Sequence, residues 1–130
     1  MAGITGTAFY ATFNSQVLDT DYRSFSNSEE IGTVDQSAGS DANRTYLTAL
    51  KDGTASITFV MQSEDTTTWG AVAVGTDDTL EWGEEGTAAG KPKHSVPAIV
   101  TSREKSMEYA DLVVCDVSFQ FNGAVTDDTY

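Results

Sequence analysis

The sequence has one histidine and one cysteine, and that scarcity removes most catalytic and metal-centred chemistry at the outset. His94 has no second imidazole with which to hold zinc, and no Ser or Cys nucleophile is paired with it at a recognisable spacing. Beside Lys93, in a stretch read as a loop, it is expected to be a solvated surface residue. Cys115 cannot form an intrachain disulfide and lies in the most hydrophobic part of the chain, so a buried, inert thiol is expected. There is no GxxxxGK[ST] phosphate loop. Asp77-Asp78-Thr79-Leu80-Glu81 lacks the ligand spacing and central glycine of an EF-hand.

Positive charge is also scarce. Seven Lys and Arg stand against 20 Asp and Glu, for a formal charge of -13 and a sequence pI near 4.1. Binding of nucleic acid phosphates through an extended basic face is therefore not expected. The acidity serves solubility and mutual repulsion, or it marks a surface that must not adhere to a polyanion. Long apolar runs are absent as well. Met1-Ala2-Gly3-Ile4-Thr5-Gly6 has neither a basic n-region nor a hydrophobic stretch of signal-peptide or membrane-span length, so synthesis in the cytoplasm and no membrane association are expected. Without a secretory signal, Asn43-Arg44-Thr45 is a chance match to a glycosylation acceptor.

What is present reads as one mainly β domain over residues 1–130, a β-sandwich or a barrel-like fold with a single short helix and a long loop. A chain with 39% hydrophobic residues has the makings of a core, yet a domain this small leaves much of its surface wet and gains from burying some against copies of itself. The clearest period runs from Leu112 to Phe121, where Val113, Cys115, Val117, Phe119 and Phe121 fall on one side of a two-residue repeat. Ala55–Met61 gives a second strand, preceded by Tyr46–Leu50, and Lys51-Asp52-Gly53 between them predicts a tight hairpin turn. Residues 8–13, 22–34, 79–82 and 95–101 also read as extended. Pro97 suits an edge or a bulge. One helix is predicted over Thr66–Val74, with Asp65 as N-cap and Gly75 as the stop. Residues 37–43 and 83–93 read as long connections, and the stretch after Gly123 as a short acidic tail.

No constellation for catalysis emerges. Glu29-Glu30, Asp77-Asp78, Glu84-Glu85 and Asp127-Asp128 are adjacent carboxylates of the kind that decorate loop tips, and no nucleophile, base and orienting group can be assigned. An enzyme is not expected, and no cofactor or metal is implied. Trp69, Trp82, Tyr10, Tyr22, Tyr46 and Tyr109 are core or interface residues, or else a sugar-binding platform on a β-sandwich carbohydrate module.

The order of segments resembles the major tail proteins that build the tail tube of long-tailed bacteriophages. Residues 46–59, YLTALKDGTASITF, are similar to that family's Leu-x-x-Leu-Lys-Asp-Gly hairpin after a polar strand and a Gly/Ser/Asp loop. Residues 86–92, GTAAGKP, followed by a strand ending Val100-Thr101-Ser102, resemble its loop before the penultimate strand, and Val117–Thr126 resembles its C-terminal strand and ending. The resemblance implies a subunit that forms six-fold rings stacked into a hollow tube for genome ejection, with itself, tail terminator, tape measure and distal tail proteins as partners and double-stranded DNA passing without tight binding. Other small β-rich virion parts (capsid decoration, terminator, connector) are the alternatives. On this reading the inter-ring loop falls at about Ser26 to Arg44, with Gln36, Ser37, Gly39, Asp41 and Arg44 as its contacts, helped by the 123–130 tail. Ser24, Ser26, Ser28 and Thr58 are candidates for the lumen wall.

Overall fold

The computed structural model describes residues 3–18, 22–40, 42–61 and 66–130. After a 3-10 turn at Gly6–Ala8 come β1 (Tyr10–Phe13), β2 (Gln16–Val17), β3 (Tyr22–Asp35), β4 (Tyr46–Val60), the helix α1 (Thr67–Ala71), β5 (Asp77–Gly83), β6 (Pro92–Ser106), β7 (Val114–Phe121) and β8 (Thr126–Thr129). All pairings are antiparallel, in the order β2-β1-β5-β6-β7-β4-β3, with β8 added to β6. The length of β6 accommodates both partners on one edge, since Pro92–Ser95 face β8 and Ala98–Ser106 face β7.

Two-residue alternation dictates which face packs. In β7, Cys115, Val117, Phe119 and Phe121 are buried while Asp116, Ser118 and Gln120 point the other way. Ala55, Ile57 and Phe59 of β4, Leu80 and Trp82 of β5, and Val96, Ala98 and Val100 of β6 complete the same face. The sheet then rolls until its ends meet across this core. Phe13 of β1 lies 4.9 Å from Phe119 of β7, Phe25 of β3 lies 5.4 Å from Trp82 of β5, and Phe9 closes the seam 4.9 Å from Phe25. Each fully buried Phe, Leu or Ile contributes about 1.5–3 kcal/mol, so one face of the sheet holds the domain together and the other is free for another use.

Four expectations change. Lys51-Asp52-Gly53 is not a turn, because β4 runs without a break from Tyr46 to Val60 and Gly53 sits in mid-strand. The glycine meets a packing demand. A Cβ there would come within 2.4 Å of the Phe121 ring and 2.9 Å of the Ser28 carbonyl oxygen. The connection placed at Ser26 to Arg44 is likewise mostly strand, because β3 extends to Asp35 and only residues 36–45 join it to β4. The helix shrinks to five residues, Thr67–Ala71, whose N-cap Thr66 makes no side-chain capping bond; Gly70 and the preceding threonines limit it. Asp65 lies outside the described residues, while Gly75 takes the positive φ of a stop a few residues further on. The acidic tail, finally, is largely a strand, β8.

Pro97 is accommodated without loss. It stands in the gap on β6 between the end of the β8 ladder at Ser95 and the start of the β7 ladder at Ala98, and its carbonyl accepts from Asn122 N at 2.7 Å.

Candidate functional site

The face of the sheet turned away from the core carries three cross-strand rows. Ser24 of β3 pairs with Thr58 of β4, Asp116 of β7 and Glu104 of β6. The next row is Ser26, Ser56, Ser118 and Ser102, and the third is Ser28, Thr54, Gln120 and Ile99. Hydroxyls dominate, none of these residues is basic, and the only carboxylates stand together in the first row. The rows are bonded laterally, with Ser26 Oγ 3.0 Å from Ser56 Oγ and the Thr58 hydroxyl donating to Asp116. Beside them Gln120 Nε2 donates to Asp52 Oδ1 at 2.5 Å and to Gly53 O at 3.0 Å. Short side chains, already bonded to one another, give a flat polar wall. Ser24, Ser26, Ser28 and Thr58 all lie on it.

Both edges of this wall are open among the described residues. β3 is laddered to β4 alone, and β6 beyond Thr101 is laddered only to β7. Open edges of this length are templates for further strands.

The outer half of the β3–β4 hairpin leaves the body of the domain as an arm. From Glu29 to Asp35 and from Tyr46 to Asp52 every residue is exposed, including Ile31, Val34, Tyr46, Leu47 and Leu50, the last at 91%. Val34 and Leu47 are directly opposite and share a face. A register shift at Gly32, whose Cα hydrogens lie against the Ala49 methyl, bends the arm there. At its tip Gln36 N donates to Thr45 O at 2.9 Å, Ser37 N to Asp35 Oδ1 at 2.8 Å, and Thr45 N to Ser37 Oγ at 2.7 Å. The N–H and hydroxyl of Ser37 hold the Asp35 carboxyl below its ordinary range. Arg44 reaches Asp35 at 3.8 Å across open solvent, a contact of little energetic weight. Gln36, Ser37, Gly39 and Arg44 therefore cluster at the arm's tip; Asp41 lies outside the described residues. At the opposite end of the sheet, where Val60 pairs with Val114, the β6–β7 connection exposes Met107, Tyr109 and Leu112. That second apolar patch carries no periodic signal, because a connection lacks a repeat.

His94 is not the isolated surface residue its surroundings in sequence imply. It is on β6, stacked on Trp82 with ring centroids 5.4 Å apart, and its Nε2 and Nδ1 lie 2.7 and 2.6 Å from Glu84 and Asp127 carboxylate oxygens. No group of three or more His, Cys, Asp or Glu side chains is arranged to hold a metal ion among the described residues, and no described helix is long and apolar enough to cross a membrane.

No protein-family model and no curated protein sequence matches the chain. Solved structures do. The tail of an empty gene transfer agent particle with C6 symmetry contains a chain that superposes with a TM-score of 0.77 at 14% identity, over 98% of this chain and 100% of that one. A chain of the extended sheath–tube complex of PVC, an extracellular contractile injection system, superposes at 0.77 and 12% identity over 98% and 93%. The SPP1 tail tube gives 0.75 at 12% identity over 98% and 80%. The chain has the mainly β tail tube fold.

Proposed function

We propose that this chain is a virion structural protein that polymerises, through rings stacked on one another, into a phage tail tube whose lumen is the hydroxyl-rich wall. The observation that carries the reading is that wall itself. A polar, cation-free face spans β3, β4, β7 and β6 and is bounded on both sides by open strand edges. Adding the β3 edge of one copy to the β6 edge of the next continues the sheet from subunit to subunit and closes a ring, as a heterologous contact does when its rotation closes. The gene transfer agent tail, with its C6 symmetry, makes six the expected number.

Stacking needs a second heterologous contact that does not close. The molecule has apolar groups at both ends, the arm with Leu47 and Leu50 and the turn with Met107, Tyr109 and Leu112, as a subunit that is covered from both sides along an axis requires. The arm and its tip, not the whole of Ser26 to Arg44, are the inter-ring element. DNA passing through such a lumen meets hydroxyls and a band of carboxylates in an acidic subunit of charge -13, which repels phosphates over a Debye length of about 10 Å at 0.1 M salt. Tail terminator, tape measure and distal tail proteins are the further partners of this reading, with synthesis in the host cytoplasm.

The test is negative-stain electron microscopy and size-exclusion chromatography of the purified protein over a range of concentration and salt, together with Leu47→Ser/Leu50→Ser. Hollow tubes from the parent chain, and folded subunits or single rings from the variant, support the proposal. A monomer at every concentration overturns it.

A further inference from the structure

We propose that the two open edges of the wall join in a single register, with Glu29 on β3 of one copy directly opposite Arg103 on β6 of the next, Asn27 opposite Lys105 and Ser28 opposite Glu104. The proposal rests on the tube reading above and names the residues that make its lateral contact. β3, β4, β7 and β6 alternate in direction, so a copy related by rotation about the tube axis brings its β6 antiparallel to β3. Side chains alternate with a period of two, so only registers stepped by an even number of residues continue the hydroxyl face from copy to copy.

Charge selects among those registers. Phe25 packs against the core, and Asn27 and Glu29 follow it on the same side of β3, opposite Ala55 and Gly53. Arg103 and Lys105, opposite Val117 and Cys115, occupy that side of β6, each with its cationic group 4.1 Å from the Trp69 ring centroid. Neither these two cations nor Glu29 belongs to an ion pair among the described residues. A level register, with Ser24 opposite Glu104, sets Phe25 against Arg103 and leaves Glu29 beyond the open part of β6. A stagger of two residues sets Phe25 against Lys105. A stagger of six sets Glu30 against Glu104, and like charges directly opposite one another are destabilising. A stagger of four puts Glu29 against Arg103 with Lys105 on the diagonal, and opposes no like charges.

Barrel geometry selects the same register. Four residues along the strands are about 14 Å and four strand spacings about 19 Å, so this stagger tilts the strands by about 35°, at the low end of the roughly 35–45° of closed barrels. Staggers of two and six residues give about 20° and about 47°, outside that range. The direction agrees too. Met61, which follows β4 on its core side, donates its N–H to Val113 O, so the core-side residues of β4 aim their backbone groups at β7. For L-residues this places β7 to the right of β4 when the sheet is viewed from the core side with β4 running up. β6 of the neighbouring copy then lies to the left of β3, and the right-handed coil of barrel strands sets it lower, toward the later residues of β3. By the same alternation the outward backbone groups on both edges belong to core-side residues. Glu29 and Arg103 are therefore a hydrogen-bonded pair, and Ser28 and Glu104 a non-hydrogen-bonded one, with Cα atoms about 4.5 Å apart.

The test is disulfide trapping in assembled tubes of the full chain. That Cα separation lies within the range a disulfide spans, whereas diagonal neighbours at about 7–8 Å do not. Mild oxidation of Ser28→Cys/Glu104→Cys tubes is expected to give a covalent ladder on non-reducing gels that ends at the ring size. Ser24→Cys/Glu104→Cys and Ser26→Cys/Glu104→Cys, which match staggers of none and two, are expected to stay uncoupled. Glu29→Lys, a change at an exposed position, is expected to leave the subunit folded and to raise the concentration at which tubes form roughly tenfold. Tubes that cross-link through either control pair and not through 28 and 104, or Glu29→Lys tubes that form at the parent concentration, overturn this register and leave the tube reading standing. A parent chain that never assembles overturns both.

Discussion

Gly53 of β4 lies directly beneath the ring of Phe121 of β7, so closely that a Cβ on it would stand 2.4 Å from Cδ2 and 2.9 Å from Cε2. The other side of the same position is closed by the Ser28 carbonyl oxygen at 2.9 Å. Replacing a glycine in mid-strand by alanine ordinarily gains stability through the unfolded chain, by about 0.4–1 kcal/mol. Here the sign reverses. Gly53→Ala forces the Phe121 ring out of the core edge or separates β3 from β4, and overpacking of this kind costs about 1–3 kcal/mol. A chemical denaturation midpoint below that of the parent checks it, and an unchanged or raised midpoint contradicts it.

The same residue explains what the sequence hid. Asp-Gly is a strong hairpin signal, and with Leu50 on one side and Ala55 on the other it splits β4 in two on paper. The reason for the glycine, a ring arriving from a strand far away in sequence, is invisible locally. β7 was legible in full because its apolar residues alternate without interruption. In β3 the alternation is weak, because its partly buried positions, Tyr22 and Phe25, are few and its outer half is exposed on both faces. Its polar face could still be picked out as Ser24, Ser26 and Ser28, but the wall they belong to needs the register of four strands. The sequence around His94 conceals its setting for a related reason. Its carboxylate partners, Glu84 and Asp127, lie on either side of it in sequence, and only the β6–β8 pairing brings the second one near.

Arg103 holds the helix to the sheet. Its Nη1 donates to the Trp69 carbonyl at 2.6 Å and its guanidinium lies 4.1 Å from the Trp69 ring centroid, with Lys105 Nζ also at 4.1 Å. A five-residue helix without a side-chain cap has no stability of its own. Arg103→Ala is expected to cost about 1–2 kcal/mol and to raise amide exchange in Thr67–Ala71 first, whereas Lys105→Ala, which leaves the carbonyl bond in place, is expected to cost less. Equal protection of the helix in both variants would show that the carbonyl bond carries no weight.

Tyr130 gives a pH dependence of known sign. Burial, then the charge of Glu81 beside it, pushes its phenol up from 10.0 to about 12, and its hydroxyl donates to Glu81 Oε2 at 3.5 Å. The neutral phenol is favoured in the folded chain, so the stabilisation is complete below the unfolded value of 10.0 and is lost as the pH climbs from there to about 12. Ultraviolet titration of phenolate should show one tyrosine ionising last, and Tyr130→Phe should remove that step. Over the same range Tyr130→Phe should lose less stability than the parent. Parallel stability curves for the two proteins would count against the assignment.

Ser56 stands at the middle of the hydroxyl wall, between Ser26 and Ser118, and is exposed in the isolated subunit. Cys115 is buried, so Ser56→Cys creates a single accessible thiol. A substitution at an exposed position of this kind changes stability by no more than about 0.5 kcal/mol, and tubes should still assemble. If the wall lines a lumen, a bulky maleimide reacts with the subunit before assembly and fails to reach the thiol afterwards, while a small one reacts in both states. Ser56→Lys extends the test to DNA. It places a cation on a face that has none, repeated at every subunit, and DNA held inside such a tube should be retained at low salt and released as salt rises, because each phosphate contact releases counterions and so weakens as the salt concentration climbs. Parent tubes, with hydroxyls and carboxylates there, should pass DNA at either salt. A thiol at position 56 that stays open to the bulky reagent in intact tubes would put the wall on the outside and remove the basis for a DNA-conducting lumen.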